Sequence, residues 1–208
     1  MKYSNIIYII SIFLIGCSSN STYNIQSYQE EVIETQYKED STILSIITPY
    51  RVKIEKKMSE VLSYTKTELN KKGTESTLGN FVTDLCLNYM NADLCVMNSG
   101  GLRTVINDGP ITVGKIYELM PFENELVVIE IDSTEFNGLL EYIIKRGGEP
   151  FSGINIIMNN KNELISYTAP IDFREKNSIR VLTSDYLANG GDKMWFFKEK
   201  KQYTTGLK

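Results

Sequence analysis

The chain has 208 residues, 42% hydrophobic, 23% charged and 11% aromatic, the composition of an ordinary globular protein rather than a collagen-like or wholly disordered one. Its 22 Lys and Arg against 26 Asp and Glu give a net charge of -4, which argues against general nucleic-acid binding, because phosphate backbones need clustered cations. There is no histidine, so a Ser-His-Asp set, a His-activated cysteine and a His-rich zinc or dinuclear site are excluded within these residues.

Residues 1–16 read as an export signal. Lys2 is their one charge, and the apolar run Ile6 to Ile15 is shorter than the ~20 residues a spanning helix needs. The end of that run, Leu14-Ile15-Gly16-Cys17, resembles a bacterial lipobox. The resemblance implies cleavage after Gly16 and lipidation of Cys17, with an uncut signal anchor as the alternative. More than one acyl chain would make the anchoring stable. No acidic residue follows the cysteine at Ser18-Ser19, so the expected location is the cell envelope, at an outer membrane facing the periplasm. A Gram-positive surface is the other option. Residues 17–41 are expected to form a polar tether, in which Val32 to Thr35 adds at most one edge strand, and the folded domain is expected over 42–208.

Within that domain, Ile43 to Leu62 carries apolar residues at helical spacing, and Pro49 there predicts a start or a kink. Leu78, Phe81, Val82, Leu85 and Tyr89 recur as one face of a second helix. Leu94 to Met97 predicts a short buried strand. Thr112 is placed to cap a helix ending near Leu119, and Leu126 to Ile131 predicts a strand. Ser133 opens a helix with Phe136, Leu139, Leu140, Ile143 and Ile144 on one face, stopped by Gly147-Gly148. Strands are predicted at Ile154–Met158, Glu163–Tyr167 and Ile179–Leu182. Helices interspersed with strands predict a layered α/β (α+β) domain with a mixed sheet. Cys86 falls on an apolar helix face and Cys95 in a strand, so both read as free, buried thiols, although an oxidising compartment would also permit pairing.

Three loops stand out. Asn98-Ser99-Gly100-Gly101-Leu102-Arg103 offers glycines that let backbone N–H groups approach a ligand, followed by a guanidinium suited to an anion. Leu119 to Asn124 holds Phe122 on a Pro121 turn. Thr183 to Asp192 supplies Tyr186, the pair Gly190-Gly191 and the Asp192 carboxylate. Taken singly, each is as readily a turn, a ring covering a helix end, or a carboxylate capping local backbone.

Together, and preceded by Glu75-Ser76-Thr77-Leu78-Gly79-Asn80, these segments resemble the C-terminal domain of the 5'-nucleotidase family, over roughly Thr42 to Phe197. The resemblance implies that Phe122 and Tyr186 sandwich a nucleobase, that Asn98 bonds its edge, that Gly100 and Gly101 shape the loop, that Arg103 binds phosphate and that Asp192 accepts from ribose hydroxyls. These roles suit the chemistry of the groups. One departure is Thr74, at a position where the family usually has another phosphate-binding arginine; Lys71 or Lys72 would replace it only as a point charge. The other is that full-length members carry a metallophosphoesterase domain that binds two divalent metal ions through histidines and aspartates, and no such set is found here. The expectation is therefore a nucleotide-recognition chain with no catalytic or metal-ligating residue of its own, partnered by a metallophosphoesterase chain that holds the metals. The alternatives are a nucleoside- or nucleotide-binding lipoprotein and a scaffold.

Overall fold

The structure, a computed structural model, describes residues 39–208 apart from 170, 174 and 176. The predicted leader, the expected lipidation site Cys17 and the expected edge strand at Val32–Thr35 lie outside the described residues. The chain divides into Met1–Ser41 and Thr42–Lys208, and apart from Ser41 the architecture below belongs to the second unit.

The first helix, α1, runs Ser41–Met58 and passes through Pro49 instead of starting there. Leu62 is not helical as predicted. It belongs to β1 (Val61–Thr65), which pairs antiparallel with β3 (Gly109–Thr112), a long-range partner invisible to local periodicity.

A five-stranded mixed sheet forms the centre, in the order β5 (Phe151–Ser152), β2 (Leu94–Val96), β8 (Ile179–Ser184), β4 (Leu126–Ile131) and β9 (Gln202–Thr204). Strands β2 and β8 are parallel, and the other pairings are antiparallel. Alternation along each strand feeds two cores. Leu94, Val96, Val127, Ile129, Ile131 and Val181 face one side, where they pack with Phe136, Leu139, Leu140 and Ile143 of α4 (Ser133–Lys145). Cys95, Met97, Val128 and Leu182 face the other, against Cys86, Leu87 and Met90 from α2 (Thr77–Tyr89) and its end. The sheet is thus covered on both faces, and the expected layered α/β architecture is the one the chain adopts. A separate hairpin of β6 (Asn155–Met158) and β7 (Leu164–Thr168) completes the strands.

Helix α2 corrects one prediction. The spacing places Leu85 and Tyr89 on its apolar face, yet they are 57% and 73% exposed. The buried arc instead holds Leu78, Gly79, Val82 and Thr83, because α2 packs against two cores at once. One of these is a third core, which joins Leu78 and Val82 to Leu102, Ile106, Ile111 and Leu119, and so anchors the Asn98–Arg103 loop and the following helix α3 (Val113–Leu119). Thr112 caps α3 by accepting from Lys115 N, as predicted. Cys86 is half-buried and Cys95 buried, and both are free. The two thiols meet: a hydrogen bond with Cys95 holds Cys86 below its ordinary pKa, while that bond and burial push Cys95 well up.

Candidate functional site

Parallel β2 and β8 are neighbours, so the segments leaving their carboxyl ends emerge on the same edge of the sheet, the edge where ligands bind in open α/β sheets. Behind that edge, buried Thr183 donates its hydroxyl to Val96 O at 2.8 Å and ties the two strand ends together. From β2 the chain enters a 3-10 turn, Ser99–Gly101, with Asn98 before it. From β8 it enters α5 (Asp185–Ala188), capped by Ser184, and then the glycine pair.

These two loops meet. Asn98 Nδ2 donates to Asp192 Oδ2 at 2.5 Å, although the residues are 94 positions apart. Tyr186 OH donates to Asp192 Oδ1 at 3.0 Å, and Asp192 N–H donates back to the phenol oxygen at 3.1 Å. Asp192 itself sits at a left-handed φ of +48°, and Gly190 before it at +87°. A β-carbon on Gly191 would lie 2.6 Å from two Tyr186 ring carbons, so the glycine is what lets the ring fold over the loop.

Gly100 and Gly101 both lie against the Asn98 side chain. Gly101 N–H donates to Asn98 O at 3.0 Å, so it is spent inside the turn and not offered to a ligand. A β-carbon at Gly101 would instead come within 3.0 Å of Asn98 Oδ1, so the glycine leaves room for the amide.

Arg103 is exposed, and its Nη1 reaches Gly100 O at 3.4 Å. Its backbone N–H donates to Leu119 O at 2.8 Å, which draws the end of α3, and with it the Pro121-Phe122 turn, toward the glycine loop. Lys71 adds a second cation: its Nζ donates to Leu102 O at 2.6 Å and to Ser99 O at 3.4 Å. Thr74, by contrast, packs its carbonyl against Gly148, where an added β-carbon would lie 2.4 Å away.

Phe122 is 51% exposed and Tyr186 45% exposed. Among the described residues the ring contacts belong to the core, Phe136 with Tyr167 and Phe173 and Tyr142 with Phe196, so both site rings keep a surface for stacking. The structure does not bring those two rings into contact with each other.

Sequence reasoning missed the buried end of this network. Glu149 accepts from Ser99 N at 2.7 Å and from Ser99 Oγ at 2.6 Å, and it pairs with Arg146 Nε. Tyr142 OH donates to Asp192 O at 2.8 Å. Burial pushes the Tyr142 hydroxyl up to about 12, the Arg146 charge opposing and the Glu149 and Asp192 charges adding to the rise. For Arg146, burial disfavours the charge, but Glu149 outweighs it and raises the guanidinium above its ordinary value. The only local signal was a charged residue between a glycine pair and Pro150. A groove of about 1000 Å³ lies beyond Glu149, lined by Thr74, Asn80, Asp84 and Asn155 among others, but neither site ring borders it.

Residues 54–199, well over half of the chain, match the family described as 5'-nucleotidase, C-terminal domain. The chain belongs to that family. The 5'-nucleotidase of Vibrio vulnificus is 25% identical over 177 residues, covering 79% of this chain but 32% of the relative. A trifunctional nucleotide phosphoesterase protein of Bacillus subtilis is 26% identical over 192 residues, 80% of this chain and 13% of its own. Among solved structures, the 5'-nucleotidase precursor from Thermus thermophilus matches with a TM-score of 0.63 and 25% identity, over 81% of this chain and 38% of that one. The chain therefore spans about a third of the length of the 5'-nucleotidases it matches. Among the described residues no group of three or more His, Cys, Asp or Glu converges to hold a metal ion.

Proposed function

We propose that this chain is the nucleotide-recognition subunit of a split 5'-nucleotidase, whose metallophosphoesterase half is a separate chain. The observation that carries the reading is the junction of Asn98, Asp192 and Tyr186 at the carboxyl ends of β2 and β8. Phe122 and Tyr186 stack the base, a contact worth ~1–3 kcal/mol per ring with little base selectivity. Asn98 bonds the base edge and Asp192 the ribose diol. Arg103 grips phosphate with its planar fork, and Lys71, tied to the same loop, supplies a point charge in place of the missing arginine at Thr74. Two divalent ions held by the partner would activate water and clamp the phosphoryl oxygens. This chain's task is to hold and orient the substrate. The proposal includes a lipid anchor at Cys17, which would keep the subunit in the cell envelope, at an outer membrane facing the periplasm.

Calorimetric titration of the chain from Ser18 with adenosine, AMP and UDP-glucose tests the reading. AMP is expected to bind more tightly than adenosine, and Phe122→Ala to weaken both by about 1–3 kcal/mol. Adding the chain to its metallophosphoesterase partner is expected to raise nucleotide hydrolysis. Equal affinity for adenosine and AMP would favour a nucleoside-binding lipoprotein instead. No heat with any ligand, together with partner hydrolysis unchanged by this chain, would overturn the proposal.

A further inference from the structure

We propose that Glu149 is a positioning residue of the nucleotide site, the keystone of a brace that presets Asn98 and Asp192 before ligand arrives. The proposal rests on the nucleotide reading above. The Glu149 side chain is 1% exposed. A carboxylate buried so far is costly unless its lone pairs are met, and a well-packed apolar residue usually serves stability as well or better. What the carboxylate meets is the glycine turn: the N–H and hydroxyl of Ser99, the residue next to Asn98. Its own backbone is pinned on both sides. Gly148 sits at φ +119° with Thr74 O where a side chain would be, and Pro150 O accepts from Met97 N at 2.9 Å, which ties the segment to the end of β2.

The other half of the brace runs to the second loop. Arg146, paired to Glu149, lies over the Tyr142 ring at 5.4 Å, and Tyr142 OH holds Asp192 O at 2.8 Å. Because Asn98 Nδ2 closes the path onto Asp192 Oδ2, the contacts form a ring through Ser99, Glu149, Arg146, Tyr142, Asp192 and Asn98. Both loops are then fixed at one separation by the last turn of α4 and the segment that follows it, and the ligand does not have to pay for ordering them. Glu149 acts through the glycine turn, on Asn98 and Asp192 and on the Lys71 ammonium that the same turn holds.

The test uses the whole 208-residue chain in detergent. Glu149→Gln keeps the shape but removes the charge, and Tyr142→Phe removes only the hydroxyl at the far end of the ring. Without ligand, each variant is expected to speed amide hydrogen exchange in both residues 99–102 and residues 190–193, while the amides of β4 and β8 stay protected. With ligand, Glu149→Gln is expected to weaken adenosine roughly tenfold, the scale of one lost hydrogen bond to a charged group, and AMP at least as much. In an Asn98→Ala background the same substitution should cost little, whereas a general loss of structure would add in full. Exchange at 190–193 unchanged in both variants, or full additivity in the double variant, would overturn the brace. A wild-type chain that binds neither ligand and leaves partner hydrolysis unchanged would overturn the nucleotide reading and this proposal with it. A wild-type chain that binds while both variants match it would overturn the brace alone. If Glu149→Gln does not fold, Tyr142→Phe decides the matter by its effect across the ring at 99–102.

Discussion

Gly191 is pressed against the Tyr186 ring and carbonyl, with 2.6 Å between either and an added β-carbon. Gly191→Ala is therefore expected to push the ring off Asp192 and to cost about 1–3 kcal/mol of stability, the usual cost of overpacking. Denaturant melts should show that loss, and calorimetry should show loss of nucleoside binding in the same variant. Tyr142 makes a second prediction at this scale. Its hydroxyl is held up to about 12 from an ordinary 10.0, chiefly by burial. In that alkaline window the unfolded chain has given up a proton that the folded chain keeps, so stability falls as pH rises through it. Ultraviolet titration of tyrosinate should show a late-ionising tyrosine that disappears in Tyr142→Phe. Asn98, Phe122, Tyr186 and Asp192 are legible as candidate site residues because each stands in a segment with a recognisable order of neighbours. Glu149 is not, since its partner Ser99 lies 50 positions away.

Helix α4 is the element whose sequence and structure agree most closely. Asp132 accepts from Thr134 N and Glu135 N, and Glu135 reaches back to Asp132 N at 2.8 Å, a complete capping box. The stop is equally local, with Gly147 at φ +72°. Asp132→Ala is expected to cost about 1 kcal/mol and Phe136→Ala, at a fully buried position, about 3–5 kcal/mol. Chemical denaturation of the two variants checks the order as well as the sizes. Helix α2 shows the limit of the same reasoning. Its spacing predicts a single apolar stripe, but a helix lodged between two cores buries a different arc, and small or polar Gly79 and Thr83 take places that hydrophobicity alone assigns to Leu85 and Tyr89.

At the scale of the whole molecule, the site exists because two strands distant in sequence run parallel side by side. Loops that end adjacent parallel strands must leave from one edge, and that is why a glycine turn near residue 100 and another near residue 190 share a hydrogen bond. Local chemistry was enough to determine the layered α/β class, the extent of α4 and β4, the cap of α3 and the order of loops that marks the family. Those features depend on spacings of a few residues, where the backbone's own periodicity and its caps dominate. The pairing of β1 with β3, the buried arc of α2, the seat of Lys71 on Leu102 O and the ring through Glu149 depend on contacts made across the fold. Only the tertiary structure decided them, because the energy of a buried carboxylate or a strand edge is set by whichever partner the completed fold brings beside it.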